Sequence, residues 1–443
     1  MARRFRKKKM PEPFDAEILR LSHEGRGICE HNERTVFVAG ALVGEQVEVT
    51  VHNRWKGFAE GRVTRIDQPS VQRVEPACPH FGVCGGCALQ HWQLDKQVEH
   101  KANTLSELLE HHGGGGPERA LAPLQAQPLG YRRKARLGVR YVAPKDRVLV
   151  GFREQASNFL AVLDECQVLD PRVGTRLVEI GEAIKSTSIR DRIAQIEVAC
   201  GDQAVALVFR VLDPPTQSDV ARLIELGQAY GYHIWLQPKG PDTSYRVYPL
   251  SGPEYLSYEH PDFGLRMYFH PHDFTQVNAQ INRSMMTQAL DLLELTPQDR
   301  VLDLFCGLGN FTLPIATRAG YVVGVEGSEA MTQRGRMNAQ LAGLDHCEFH
   351  AADLTQPIED KPWAAGGFNK LLLDPARSGA AEVLQVLSLD GLERIVYVSC
   401  NPATLARDVG ILKQRGWRLC DAGIMDMFPH TAHVESMAVF VPA

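Results

Sequence analysis

Apolar and polar residues alternate from residue 14 to about residue 70. Val47, Val49 and Val51 occupy one side of this pattern and polar residues occupy the other, a period of two that is typical of a strand with one buried face. Similar short runs, separated by glycines, occur at Ile18–Leu21, Thr35–Val38 and Ala59–Ile66. Four or five short strands with glycine turns predict a small β-barrel of the OB type.

The middle of the chain has a mixed pattern. Apolar residues at helical spacing between residues 90 and 112 predict a core-facing helix, which ends at four glycines and Pro117. Beyond residue 131, antiparallel-looking strands are predicted with helices near 171–185 and 217–230. The predicted strands are Arg136–Val142, Val148–Phe152, Ile193–Cys200, Ala204–Arg210 and His233–Gln237. This stretch is expected to form a central α+β domain.

After a helix that ends near Leu293, strands and helices alternate strictly. The predicted strands are Arg300–Phe305, Val322–Glu326, Cys347–His350, Leu371–Asp374, Ile395–Val398 and Arg418–Phe428, with helices at 311–319, 328–341, 380–388 and 403–415. Such alternation predicts an α/β fold with a doubly wound, mostly parallel sheet. The expected domains are a basic disordered arm (1–13), the barrel (14–72), the central domain (73–262) and this α/β domain (263–443).

The composition of the chain indicates the cellular compartment in which it is expected. The 443 residues are 44% hydrophobic and 23% charged, as in soluble globular proteins, and no apolar run approaches the ~20 residues of a membrane span. We expect a cytoplasmic monomer without membrane contact. Ten cysteines in a reducing compartment indicate metal binding or catalysis more than disulfides.

Charge is unevenly distributed, although the net charge is only −5. Six basic residues lie in the first nine: Arg3, Arg4, Arg6, Lys7, Lys8 and Lys9. A second basic stretch, residues 131–153, contains Arg132, Arg133, Lys134, Arg136, Arg140, Lys145, Arg147 and Arg153 against the single acid Asp146. Either stretch could contact phosphates, and either could be an ordinary solvated surface or tail.

Three cysteines, Cys78, Cys84 and Cys87, lie within ten residues and are separated by glycines. Three thiolates make an incomplete site for zinc or for an iron–sulfur cluster, both of which normally take four ligands. Cys166 is the best candidate for the fourth. Two nearby histidines, His80 and His91, keep zinc open as an alternative.

The first parallel strand leads into a glycine loop. Val301–Asn310 reads as a strand, a loop with Gly307 and Gly309, and a helix start. This is not the dinucleotide motif, because Thr312 stands where its third glycine would be. Asp303 lies in this first strand, and acidic residues end or follow the next three strands: Glu326, Asp353 and Asp374. Together they favour a pocket for a neutral or cationic nucleoside such as S-adenosylmethionine, although singly Asp353 could be a helix cap and Asp374 a turn former.

Cys400 is the candidate nucleophile. It follows the strand Ile395–Val398 and precedes a helix that Pro402 can begin. Ligands of open α/β sheets bind at this end of the strands, and a helix N-terminus favours thiolate. The alternative is a small buried apolar residue.

Residues 274–443 resemble the uracil-5 RNA methyltransferases. The matching motifs are Phe274-Thr-Gln276-Val-Asn278, Asp303-Leu-Phe-Cys-Gly-Leu-Gly-Asn310, Asp374-Pro-Ala-Arg377, Ser399-Cys400-Asn401-Pro402 and His433-Val-Glu435-Ser. The resemblance implies a class I (Rossmann-like) methyltransferase domain that uses S-adenosyl-L-methionine. The barrel resembles a TRAM domain and, with the cysteine motif, makes the chain similar to the branch that modifies a specific uridine of 23S ribosomal RNA.

The same resemblance implies roles for individual residues. The cofactor would be bound by Gln276, Phe305, Asn310, Glu326, Asp353 and Asp374, and a [4Fe-4S] cluster by Cys78, Cys84, Cys87 and Cys166. Cys400 would be the nucleophile and Glu435 the general base, although Glu435 alone could be an exposed strand residue. Ala376 departs from the family, where many members have a second proline, and is expected to affect only loop stiffness.

Three alternatives differ in substrate or class. The chain could methylate another ribosomal or transfer RNA uridine, or carbon 5 of cytosine, although Ser399-Cys400-Asn401-Pro402 fits uracil better. It could also be an iron–sulfur RNA-binding or redox-sensing protein that has lost catalysis. Retention of Cys400, Glu435 and the acidic strand ends argues against that possibility.

Overall fold

The computed structural model describes residues 12–358 and 360–443, so the basic residues of the predicted N-terminal arm lie outside the described residues. The chain forms two compact units. The first comprises residues up to Lys101 together with 152–161 and 429–433, and the second comprises 102–151, 162–428 and 434–443. Among the described residues, no helix combines the length and the apolar character that crossing a membrane requires.

The first unit contains a six-stranded barrel. Its strands are β1 (Phe14–Glu17), β2 (Arg20–Leu21), β3 (Gly27–His31), β4 (Arg34–Ala39), β5 (Gln46–Arg54) and β6 (Phe58–Gln68), in the order β1-β5-β6-β4-β3-β2. Val47, Val49 and Val51 are buried in its core, as predicted. The edge strands β1 and β2 are consecutive in the chain, separated by Ile18 and Leu19, and make one strand more than predicted.

The second unit begins within helix α1 (Leu94–His112), which is followed by the short strand β7 (Arg119–Ala120). The next elements are β8 (Lys134–Val142), β9 (Arg147–Gly151), α2 (Pro171–Gly174), α3 (Leu177–Lys185), β10 (Ile193–Cys200), β11 (Val205–Val211), α4 (Gln217–Tyr230), β12 (Tyr232–Gln237) and β13 (Tyr245–Tyr248). They form a sheet in the order β13-β12-β11-β10-β8-β9.

This sheet is not wholly antiparallel, contrary to the prediction. Strands β11 and β12 pair in parallel, because the intervening helix α4 returns the chain to the same end of the sheet. The bounds of α4 match the prediction, and its caps explain why: Thr216 and Asp219 form a capping box at its start, and Gly231 ends it with φ of 71°.

A hairpin, β14 (Leu256–His260) and β15 (Leu265–Phe269), leads into the α/β part of the second unit. Its elements are α5 (Ala279–Leu293), β16 (Arg300–Leu304), α6 (Thr312–Ala316), β17 (Tyr321–Glu326), α7 (Glu329–Ala342), β18 (Cys347–Ala351), β19 (Lys370–Leu373), α8 (Ala381–Val386), β20 (Arg394–Ser399), α9 (Pro402–Gln414), β21 (Trp417–Met425) and β22 (Glu435–Pro442). Short 3₁₀ helices occur at Ala143–Lys145, Pro241–Thr243, Pro261–Phe263 and Pro362–Ala365.

The strands of this part form one eight-stranded sheet in the order β18-β17-β16-β19-β20-β22-β21-β7. The five strands from β18 to β20 are parallel, which confirms the predicted doubly wound sheet. Strand β22 runs antiparallel between β20 and β21. Residues of α5 such as Met286 and Leu290 pack fully buried against sheet residues such as Val301 and Val396.

Candidate active site

Predicted cofactor residues and both predicted catalytic residues lie at one edge of the eight-stranded sheet. The carboxyl ends of the parallel strands lie at this edge, so Glu326 ends β17, Asp374 follows β19 and Cys400 follows β20. Because β22 runs in the opposite direction, its first residue, Glu435, lies at the same edge. The topology therefore brings the candidate cofactor residues and the candidate catalytic pair together.

The glycine loop after β16 is shaped by left-handed backbone conformations. Gly307 and Gly309 have φ of 57° and 91°, and the non-glycine Phe305 has φ of 64°, which is uncommon and typical of functional sites. The backbone N–H of Gly307 donates to Oε2 of Glu326 (3.1 Å), and that of Ser328 donates to Oε1 (3.0 Å). The Glu326 carboxylate is thus fixed between the loop and the start of α7.

Asn310 at the end of the loop is tied to two other elements. Its Oδ1 accepts hydrogen bonds from the hydroxyl of Tyr258 (2.9 Å) and from Nδ2 of Asn282 (3.2 Å), and its Nδ2 donates to Oδ1 of Asn282 (2.9 Å). Tyr258 lies on β14 and Asn282 on α5. Neither residue was predicted as part of the site, since neither belongs to a recognisable sequence motif.

Carboxyl groups give the pocket an excess of negative charge when they ionise. Asp303 is completely buried and accepts a hydrogen bond from Thr312 Oγ1 (2.6 Å). Burial raises its pKa to about 8, and the charges of Asp374 and Glu326 act in the same direction. Burial also raises the pKa of Asp374 to about 7. A bound cation would stabilise the ionised forms, so the electrostatics suit a positively charged ligand.

Two predicted cofactor residues are less enclosed. Asp353 is exposed and accepts hydrogen bonds from the N–H (3.0 Å) and hydroxyl (2.7 Å) of Thr355, which lower its pKa. It therefore forms a local turn and does not cap a helix. Gln276 is half-buried in the segment before α5, where Asn278 caps the helix by accepting from the N–H of Ile281 (3.3 Å).

The pairing of β20 with β22 sets Cys400 against Glu435. Ser399 is the partner of Ser436 in this antiparallel ladder, so the next residue pair toward the site is Cys400 and Glu435. Cys400 is half-buried, with its Sγ 4.0 Å from the carbonyl oxygen of Pro375. The register thus sets a thiol and a carboxyl group opposite each other.

The thiol of Cys400 is not predisposed to ionise in the free chain, contrary to the sequence prediction. Burial, together with the charges of Glu435 and Asp374, raises its pKa to about 11, and the charge of Arg377 opposes them. The free chain therefore holds Cys400 mainly as the protonated thiol near neutral pH.

The cysteine motif lies in the first unit. Cys84 donates its N–H to the carbonyl of His80 (3.0 Å), and Cys78 donates its N–H to Gln90 Oε1 (3.0 Å). Burial raises the pKa of the Cys84 thiol, and the charge of Cys78 adds to the shift. Cys166 is buried, with its N–H bonded to the carbonyl of Gly174 (2.8 Å). Within residues 12–358 and 360–443, no three His, Cys, Asp or Glu side chains are arranged to hold a metal ion.

The sheet order, the glycine loop and the acidic strand ends define the class of protein, a class I methyltransferase. Residues 93–442 match the family described as tRNA (Uracil-5-)-methyltransferase, and residues 12–64 match the TRAM domain. The chain therefore belongs to the uracil-5 RNA methyltransferase family and carries a TRAM domain, as the sequence predicted.

Curated relatives match over nearly the whole chain. The 23S rRNA (uracil(1939)-C(5))-methyltransferase RlmD of Alkalilimnicola ehrlichii is 57% identical over 98% of both chains. The protein of the same name from Hahella chejuensis is 52% identical over 99% of both chains. Among solved structures, the Pyrococcus abyssi tRNA (uracil-54, C5)-methyltransferase in complex with S-adenosyl-L-homocysteine has a TM-score of 0.74 at 24% identity, covering 96% of this chain and 99% of that one. This last likeness supports the fold.

Proposed function

We propose that the chain transfers the methyl group of S-adenosyl-L-methionine to carbon 5 of one uridine in 23S ribosomal RNA, the uridine that its relatives' names give as 1939. The identity of 57% and 52% over nearly the full length supports this substrate. The strand register that sets Cys400 opposite Glu435 carries the assignment of the reaction. The activity belongs to the cytoplasm, where bacterial ribosomal RNA is found.

The reaction needs a nucleophile and a base. The thiolate of Cys400 adds to carbon 6 of the uracil, and the electron pair of the broken 5,6 double bond passes into an enolate. The bound cofactor would supply its sulfonium methyl group to carbon 5, and the electron pair of the broken S–CH₃ bond would remain on the departing thioether sulfur. Glu435 removes the proton from carbon 5, and the double bond reforms as the Cys400–carbon 6 bond breaks. The uridine must first leave its stack, at a cost of a few kcal/mol.

We assign the cofactor to the site formed by the glycine loop and the acidic strand ends. Three features support this assignment. Gly307 and Gly309 allow a ligand close to the backbone, the Glu326 carboxylate is fixed, and Asp303 and Asp374 favour a cation when ionised. The residues that would hold the cofactor are Gln276, Phe305, Asn310, Glu326, Asp353 and Asp374.

We further propose that Cys78, Cys84, Cys87 and Cys166 bind a [4Fe-4S] cluster. The support is the donor set that the family resemblance implies; the side-chain arrangement gives no geometric support. The chain purified under argon should contain about four iron and four sulfide ions and be brown. Stoichiometric zinc without visible absorbance would contradict the proposal.

RNA contact is expected from both basic and aromatic side chains. In the basic stretch, Arg133, Arg136 and Arg147 form ion pairs with acids of the chain, whereas Arg140 and Lys145 are exposed. On the barrel, Trp55 and Phe58 are exposed and stacked on each other, with ring centroids 4.7 Å apart. We propose Arg140 and Lys145 as phosphate contacts and the aromatic pair as a contact for bases.

Transfer of labelled methyl groups to unmodified 23S ribosomal RNA, followed by mapping of the methylated nucleotide, tests the function. The wild-type chain should modify one uridine, and Cys400→Ala should lower the rate by about 10³-fold or more. Glu435→Gln should bind RNA covalently yet turn over about 10²- to 10⁴-fold more slowly. A chain that binds RNA but transfers no methyl group would be a non-catalytic binder.

A further inference from the structure

The loop after β19, residues 374–380, is hydrogen-bonded to one face of α9. Two carbonyls of the loop accept bonds from this face: that of Arg377 from Asn401 Nδ2 (3.0 Å) and Thr404 Oγ1 (3.3 Å), and that of Ser378 from Arg407 Nη2 (2.8 Å). Residues 401, 404, 407 and 408 share a face because they are three or four positions apart. The helix that follows the nucleophile therefore holds the loop that follows the neighbouring strand.

Asp408 is the centre of this arrangement. Its side chain is completely buried, and its Oδ2 accepts hydrogen bonds from the N–H of Ala380 (2.7 Å) and from the hydroxyl of Tyr397 (2.7 Å). Arg407 binds the other oxygen, Oδ1 (2.7 Å). Tyr397 is itself fully buried in β20, three residues before Cys400. One carboxylate thus joins the nucleophile's strand, its following helix and the loop.

The loop backbone approaches α9 so closely at residue 379 that only glycine fits there. Gly379 has φ of +79°, and a Cβ there would lie 2.5 Å from Arg407 Nη2 and 2.6 Å from Asp408 Oδ2. The close approach brings the loop residues before Gly379 toward Cys400. The Pro375 carbonyl lies 4.0 Å from Cys400 Sγ, and Arg377 is the positive charge that acts on the thiol, against Glu435 and Asp374.

We propose that Asp408 and Tyr397 are positioning residues, which hold the loop so that the Arg377 guanidinium stabilises the thiolate of Cys400. The inference rests on the proposed role of Cys400. Asp408 and Tyr397 belong to no recognised motif, and they would act on Cys400 through Arg377.

The test is alkylation of Cys400 by iodoacetamide, followed by mass spectrometry of its peptide in the full chain. Between pH 7 and 9 the rate follows the thiolate fraction, because thiolate is the reactive form. Tyr397→Phe removes one hydroxyl, and the loop should then no longer hold the Arg377 guanidinium near Cys400. Loss of this charge should raise the pKa of the Cys400 thiol by about one unit and lower the alkylation rate about tenfold. Arg377→Ala should lower it as much, and Tyr397→Phe should add nothing in that background.

The matched control is Tyr232→Phe. Tyr232 lies in β12, in a different sheet from Tyr397, is also buried, and donates its hydroxyl hydrogen bond to the backbone carbonyl of Arg172. This variant should leave the rate unchanged. An unchanged or faster rate for Tyr397→Phe, or additive losses in the double variant, would overturn the inference. Alkylation needs neither RNA nor cofactor, so a chain that is alkylated as predicted but transfers no methyl group refutes only the proposed function.

Discussion

At the scale of single residues, Asp303 has an unusual environment. It lies in β16 with no solvent exposure, and Thr312 is its hydrogen-bond partner. Burial of a carboxyl group disfavours its charged form, so the free chain keeps a proton there up to a pH of about 8, the raised pKa. Such a group makes the free chain less stable as it ionises.

The pH dependence of stability follows from the difference between the pKa of Asp303 in the unfolded chain and its pKa in the folded chain. Asp303 ionises near pH 4 when the chain is unfolded and near pH 8 when it is folded. Between these values the folded chain binds the extra proton, so the free energy of unfolding falls as the pH rises. Asp303→Asn should therefore match the wild type near pH 4 and be about 1–3 kcal/mol more stable at pH 8.

Urea unfolding of the cofactor-free chain at several pH values measures this difference. Asp353→Asn is the control, because the pKa of the exposed Asp353 is lowered; that variant should gain nothing at pH 8. Parallel pH profiles for the wild type and Asp303→Asn would contradict the account.

At the scale of elements, the glycine loop combines backbone strain with tight packing. Gly309 has φ of +91°, and a Cβ there would overlap Leu313 and lie 3.0 Å from the ring of Phe349. Gly343, which ends α7 with φ of +69°, has open space around the same position. The two glycines therefore separate the effect of strain from the effect of packing.

Gly343→Ala should cost about 1 kcal/mol, the strain alone. Gly309→Ala should cost about 2–4 kcal/mol, because displacement of packed side chains is added, and it should also weaken cofactor binding. Thermal unfolding and titration with S-adenosylhomocysteine measure the two effects. Equal destabilisation by both substitutions would show that the packing around the loop is not as described.

The sequence predicted most of these elements because each has a local signal. Thr216 and Gly231 mark the ends of α4, and alternating strands and helices define the parallel sheet. Strand β22 was not predicted from the sequence, and its pairing with β20 is a long-range contact that no local signal shows. The bond between Tyr397 and Asp408 also depends on tertiary structure, as does the burial that raises the Cys400 pKa.

At the scale of the whole molecule, the net charge of −5 gives little general attraction for RNA. Affinity should then depend on local features, among them the stacked pair of Trp55 and Phe58 on the barrel. Phe37 contacts Phe58 edge-on, with 5.9 Å between the two ring centroids. Stacking of a base on an aromatic ring contributes about 1–3 kcal/mol. This contribution depends on salt less than phosphate contacts do.

Trp55→Ala should therefore raise the Kd for a 23S ribosomal RNA fragment by about tenfold and leave the salt dependence nearly unchanged. Val71→Ala, at a residue of the same unit that is 93% exposed, should have no effect. Filter binding or fluorescence anisotropy at several salt concentrations measures both quantities. Equal affinities for wild type and Trp55→Ala would exclude the barrel's aromatic pair from RNA binding.

Covalent trapping on an RNA with 5-fluorouridine at the target position tests the central claim most directly. Fluorine replaces the proton that Glu435 would remove, so the adduct cannot resolve. With S-adenosylmethionine present, the wild type should form a protein–RNA adduct that survives denaturation and maps to the peptide with Cys400, and Cys400→Ala should form none. An adduct that persists in Cys400→Ala, or that maps to another cysteine, would contradict the account.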